Sequence, residues 1–168
     1  RYKDMKPWYD YVEEFVGVSG TLEGMEQLPD GIFLPPIGFN CAEEEFGRRI
    51  GNTYNDRRLI PGRCAHLTEP KPIHTDLGRG TCQSRNQCQR GCSLGAYFSS
   101  QSATLPAAKR TGNLTIITDS IVDSIIYDPK NKKASGVRVI DSRTNITTTY
   151  NAKVIFLCAS TLGTTQIL

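Results

Sequence analysis

Three closely spaced cysteines are the residues of this chain whose type and spacing most clearly suggest chemistry. Cys82, Cys88 and Cys92 lie in a glycine-containing, polar stretch at residues 80–96. Thiolates can ligate zinc or an iron–sulfur cluster. A fourth ligand would have to come from elsewhere, from Cys64, His66 or His74. Because the spacing lacks the paired CxxC pattern of structural metal sites, it favours a disulfide within the loop, or free thiols, over a metal.

The two histidines are the second source of chemistry to consider. Each has Pro, Glu or Asp residues near it. The spacing of His66 and His74 from other residues does not support a Ser-His-Asp or Cys-His arrangement. We therefore expect both to lie in surface loops rather than in a catalytic group.

Charge and hydropathy exclude two classes of partner. The net charge is only +3, and the arginines are interleaved with acids and glycines rather than clustered as a phosphate track. The longest apolar run, at residues 154–159, is far shorter than the ~20 residues that span a bilayer. We expect neither nucleic acid binding nor a membrane span. The chain starts without Met or a signal peptide, and we interpret it as an internal piece of a longer protein. The sequence does not assign the cellular compartment of that protein.

The first half of the chain predicts two helices. Pro7 suits the first turn of one helix, and Gly17 supplies its end. The apolar residues between them fall at helical spacing, at Trp8, Val12, Phe15 and Val16. Asn40 can cap a second helix, with Glu43 completing a capping box.

The second half predicts regular structure with several strands. After a short helix at residues 102–110, strands are expected at residues 114–118, 121–127, 136–141 and 147–150. Residues 128–131 form a turn, and the last two of these strands form a hairpin. Residues 154–158 are apolar throughout, which is typical of a central strand covered on both faces. Cys158 is therefore interpreted as a small core residue, and a helix is expected to start near Thr164.

Several segments, taken in order, resemble the middle of a glucose–methanol–choline oxidoreductase. The closest resemblance is to the bacterial branch that includes the gluconate 2-dehydrogenase flavoprotein subunit and, more distantly, pyranose 2-oxidase. The segments are residues 2–10 with 17–20, 82–96 with 105–108, 113–122, 136–139 with 152–160, and 161–168. Together they span nearly all of the chain.

This resemblance implies an α/β (α+β) fragment in two parts. Residues 1–95 would be a loop-rich, substrate-side and connecting region. Residues 96–168 would be part of an FAD-binding, Rossmann-like domain. The parent enzyme would oxidise an alcohol group, of a sugar or polyol, by hydride transfer to FAD. Its partners would be that small molecule and the remainder of the parent chain.

The resemblance also implies which residues lie near the cofactor. Val122, Ala159 and Ser160 would contact FAD through their backbone, with simple core packing as the alternative for the first two. This contact requires the strand around Val122 and the strand that ends at Ala159 to lie side by side in one sheet, as a wall for the adenine. The family usually has glycine where this chain has Ser160, and glycine permits unusual dihedrals. No catalytic residue is expected here, because the family's catalytic histidine would lie C-terminal to this chain.

The dinucleotide fingerprint GxGxxG is absent, so the main pyrophosphate anchor would lie outside the chain. We therefore expect the isolated chain to bind flavin weakly or not at all. The alternative interpretation is a non-catalytic metal-binding or disulfide-stapled interaction module built on Cys82, Cys88 and Cys92.

Overall fold

The structure is a computed structural model that describes all 168 residues, and it contains two compact units. The first is Arg1–Leu114 and the second is Thr115–Leu168. The sequence instead predicted a boundary near residue 95, between a loop-rich region and a region of regular structure. The assignment of residues 1–95 to a substrate-side region and of 96–168 to part of a flavin-binding domain stays a prediction.

Helices and loops build the first unit. Its helices are α1 (Tyr2–Val16), α2 (Cys41–Thr53), the short α3 (Pro72–Thr75) and α4 (Leu105–Arg110), the last preceded by a π-helical turn at Ser100–Thr104. Its small apolar core is formed by Leu34, Leu67 and Ala96. None of the helices in the chain combines the length and apolar character that crossing a lipid bilayer demands.

Helix α1 ends where the sequence predicted but starts earlier. Gly17 adopts φ 80°, a left-handed conformation, and its N–H bonds to the carbonyl of Glu13. Pro7 lies inside the helix, not in its first turn, so that expectation was wrong. An ion pair between Lys6 and Asp10, 2.8 Å apart, supports the turns around the proline, which costs the helix one backbone hydrogen bond.

Helix α2 begins with the predicted capping box. The Asn40 side chain accepts hydrogen bonds from the backbone N–H groups of Ala42 and Glu43. The Glu43 carboxylate in turn accepts from the backbone N–H of Asn40 at 2.8 Å. These bonds satisfy donors that the first helical turn cannot pair internally.

An antiparallel three-stranded sheet forms the centre of the second unit. Its strands are β1 (Ser120–Asp128), β2 (Lys133–Asp141) and β3 (Thr147–Asn151), in the order β1-β2-β3. The turn between β1 and β2 is held by the Asp128 carboxylate, which accepts from the N–H groups of Lys130 and Asn131. Helix α5 (Ser160–Ile167) follows the sheet. The predicted turn and the β2–β3 hairpin are confirmed.

Two predicted strands are wrong. Residues 114–118 form no strand, and neither do residues 154–158. Val154 and Phe156 are 68% and 84% exposed, and Cys158 is exposed rather than in a core. An apolar run becomes a central strand only where other strands pair with it on both sides, and this run pairs with none. The expectation that it lies beside β1 in one sheet is therefore also wrong.

Candidate functional site

The second unit contains a largely apolar hollow of about 510 Å³. Its walls come from β1 and β2, from the irregular segment at residues 155–159 and from α5. The lining residues are Ile121, Val122, Val137, Ile155, Phe156, Leu157, Cys158, Ala159, Gly163, Gln166 and Ile167. Pockets of this size and character are typical of small-molecule and cofactor sites.

Two of the three predicted site residues line this hollow. Val122 lies on β1 opposite Val139, and the register shifts between Val122 and Ser124. A bulge of this kind turns a side chain away from the regular pleat. Ala159 lies across the hollow as the N-cap of α5. The structure thus brings Val122 and Ala159 to one cavity without the strand pairing that the sequence suggested.

Ser160 is adjacent to the hollow but does not line it. Its φ is 61°, in the left-handed region where a side chain is strained and glycine is not. The sequence singled out this position for its missing glycine, and the backbone here has the conformation that glycine adopts most readily.

The lining of the hollow suits a flat, uncharged ring better than a phosphate. No lysine, arginine, aspartate or glutamate is among its residues, and Gln166 is its one side-chain amide. Residues 154–158 make no backbone–backbone hydrogen bonds, so their N–H and C=O groups are available to a ligand. An adenine ring fits this donor set, whereas a pyrophosphate would find no cation here.

In the first unit, the three cysteines of residues 80–96 surround a second, much smaller hollow. Cys82, Cys88 and Cys92 all line this cavity of about 40 Å³. The Sγ atom of Cys88 lies 3.5 Å from Nε2 of His66, and the His66 ring packs against Tyr97 with centroids 5.1 Å apart. The sequence missed this Cys–His contact because the two residues are 22 positions apart.

Backbone amides favour the thiolate form of Cys92. The N–H of Tyr97, and less strongly those of Leu94 and Ala96, bond to its sulfur and lower the pKa of the thiol, with the Arg85 cation adding to this effect. Hydrogen bonds to a charged form always shift a pKa in that direction. All six cysteines are free thiols in the structure, and no group of three or more His, Cys, Asp or Glu side chains is placed to hold a metal ion.

His74 is buried, so its expected position in a surface loop is wrong. Its exposed fraction is 0%. Nδ1 accepts a hydrogen bond from the N–H of Lys71 at 2.9 Å, and Nε2 donates to the carbonyl of Glu14 at 2.7 Å. Burial, together with the nearby Arg79 and Lys71 cations, lowers the pKa of His74. Both ring nitrogens are occupied by structural bonds, which leaves none for catalysis.

Comparison with known proteins places these features in a family context. The family model described as GMC oxidoreductase matches residues 52–168. The 2-methyl-1,2-propanediol dehydrogenase of Mycolicibacterium austroafricanum is 27% identical over 171 residues, covering 99% of this chain and 29% of that enzyme. The chain therefore spans less than a third of the length of this relative. No solved structure matches.

Proposed function

Because the chain belongs to the GMC oxidoreductase family, we propose that it is part of an FAD-dependent enzyme that oxidises an alcohol group of a sugar or polyol. The named substrate of the similar dehydrogenase is a diol, which supports a hydroxylated small molecule as substrate. The branch containing the gluconate 2-dehydrogenase flavoprotein subunit and pyranose 2-oxidase remains our proposed assignment. The remainder of the parent chain would supply the pyrophosphate anchor and the catalytic histidine.

The observation that carries this proposal is the hollow of the second unit within the matched region. We assign Val122 and Ala159 as neighbours of the FAD adenine, with Ser160 following at the start of α5. This unit would belong to the Rossmann-like flavin domain of the parent enzyme. FAD, when bound, would supply hydride acceptance. The residues of this chain would orient the adenine end and exclude water from it.

A charge placed in the hollow tests the proposal in the full-length protein. Val122→Glu would bring a carboxylate against the adenine and should lower flavin occupancy by at least about tenfold, because burying an unpaired charge is costly. Val154→Glu is the matched control, since Val154 is exposed and lies outside the hollow. Occupancy is read from the visible absorbance of bound flavin. Equal occupancy in both variants would count against the assigned contact.

Alcohol oxidation is tested separately by anaerobic reduction. Addition of sugars, polyols or diols to the flavin-loaded protein should bleach the flavin absorbance. A protein that carries flavin but is bleached by none of these alcohols would contradict the substrate class while leaving the cofactor assignment standing.

The isolated 168-residue chain should bind flavin weakly or not at all. The reason is that the hollow has no lysine or arginine, and the chain no GxGxxG loop, to hold the pyrophosphate. Titration calorimetry with FAD measures this directly, and a micromolar dissociation constant would show the prediction to be wrong.

The alternative is a metal-binding or disulfide-stapled module in the first unit. Cys82, Cys88 and Cys92 line one hollow with His66 beside Cys88, although the structure pairs none of them in a disulfide and groups no three ligands around a metal position. Iron, zinc and acid-labile sulfide analysis, combined with thiol counting, separates the alternatives. Bound metal that is lost in Cys88→Ser would support the metal module, and fewer than six free thiols without metal would support the staple.

A further inference from the structure

The last turn of α1 is held from outside the helix by the segment Lys71 to Arg79, which we call the 71–79 clasp. Three successive carbonyls at this helix end accept hydrogen bonds from the clasp. His74 donates to Glu14, while Arg79 donates to Phe15 and Val16, at 2.7, 3.3 and 2.9 Å. The clasp therefore satisfies acceptors that the helix itself leaves unpaired, and the positive Arg79 complements the negative end of the helix dipole.

His74 can serve both sides of the clasp only while its ring is neutral. A neutral imidazole has one N–H and one acceptor nitrogen. Here Nε2 donates to α1, and Nδ1 accepts the N–H of Lys71 within the clasp. Adding a proton to Nδ1 would set two donors against each other 2.9 Å apart, so the bond to Lys71 would be lost.

The charged groups facing His74 come from each segment packed against it. From the clasp, Arg79 and the Lys71 ammonium both disfavour an imidazolium, and from α1 the Glu14 carboxylate favours it. Glu14 is already paired with Lys71 at 3.0 Å, which reduces its ability to compensate. Gly17, where an added Cβ would lie 3.2 Å from Nε2 of His74, brings no charge to the ring.

We propose that the 71–79 clasp is an acid-sensitive latch, in which protonation of His74 breaks its bond to Lys71 within the clasp and so loosens the hold of the clasp on the last turn of α1. The neutral form is fully favoured above the ordinary imidazole pKa of about 6.5. Because the folded chain resists protonation, its clasp weakens as pH falls below that value. One proton taken up on opening changes the opening equilibrium by about tenfold per pH unit.

Hydrogen–deuterium exchange in the full-length protein tests this latch. Protection factors, corrected for intrinsic exchange, are compared at pH values of about 7.5 and 5.5, either side of the ordinary imidazole pKa. Amides of residues 13–18 and 71–79 should lose protection at the lower pH, by up to about tenfold for one proton taken up. Amides of β2, in the other unit, should not. Unchanged protection of the clasp would overturn the proposal.

The two histidines of the chain provide matched variants. His74→Gln offers an amide oxygen and an amide N–H without a titrating proton, so its clasp should stay protected at both pH values. His66→Gln should show the same pH dependence of protection as the unsubstituted protein. A pH response that persists in His74→Gln, or disappears in His66→Gln, would assign the effect to another group and sink the idea.

If His74→Gln does not fold, a measurement on the unsubstituted full-length protein still tests the latch. The protonation state of each imidazole can be followed by nitrogen NMR. His74 must stay neutral at a pH of about 6.5, where a free imidazole is half protonated. A His74 ring that is charged at that pH while the clasp remains protected would refute the latch.

Discussion

Replacing Arg79 by methionine should destabilise the first unit more than any other single loss of charge within it. The Arg79 side chain is 2% exposed. It donates from Nε to the carbonyl of Gly95 at 2.9 Å, and from its two Nη groups to Phe15 and Val16. It thus joins the end of α1 to the loop that carries the cysteines. Methionine keeps the apolar stem and removes every donor.

The magnitude follows from the three acceptors left behind. A buried acceptor without a donor costs ~1–3 kcal/mol. Part of this is recovered because water can reach a loosened helix end and because a buried cation no longer has to be desolvated. We therefore expect Arg79→Met to lower the free energy of unfolding by about 3 kcal/mol.

Urea unfolding followed by tryptophan fluorescence measures this change. Trp8, the only tryptophan of the chain, lies in α1 and so reports on the unit that the substitution affects. Arg85→Met is the control, because Arg85 is exposed and makes a single hydrogen bond, to Ser93. Its expected loss is under about 0.5 kcal/mol. A loss below about 1 kcal/mol for Arg79→Met, or equal losses in the two variants, would refute the reasoning.

Other substitutions probe the backbone and the caps. Ser160→Gly should raise the stability of the second unit in a thermal melt by up to about 1 kcal/mol, because φ is 61° there. Ser160→Ala should bring no gain in the same melt. Gly136→Ala should lower the free energy of unfolding in urea by about 2 kcal/mol, since the added Cβ would lie 2.5 Å from the carbonyl of Tyr150. Gly51→Ala, where nothing lies within 4 Å, should instead stabilise α2 by roughly 0.5–1 kcal/mol, and a loss there would contradict the contrast. Asn40→Ala should reduce protection of the first turn of α2 by about 1 kcal/mol in hydrogen exchange, with Asn40→Asp unchanged.

Most of the local structure could be predicted from the sequence. The capping box of Asn40 and Glu43, the left-handed Gly17 and the β2–β3 hairpin all form as expected. Each depends on residues a few positions apart, and their hydrogen bonds are made within a turn or between adjacent strands. The family resemblance is confirmed by a match that starts in α2 and runs to residue 168.

The candidate site could be predicted only in part. Val122 and Ala159 were named from the resemblance, and they line one hollow. The strand that was expected to join them is absent, because an apolar run specifies burial but not the neighbour that must provide it. Their role in binding FAD stays a prediction.

By itself, the sequence determined the cap that starts α2, the glycine that ends α1, the β2–β3 hairpin and the family motifs, since each of these is decided by neighbouring residues. Only the tertiary structure decided whether the two histidines are buried and which residues they contact. His74 is buried by a bond to Glu14, 60 positions away, and His66 meets Cys88, 22 positions away. The first contact arises where a loop packs against α1, and the second where two loops pack together. Flanking polar residues indicate exposure on average, but a side chain is buried by the segments that fold over it, and these lie far from it along the chain.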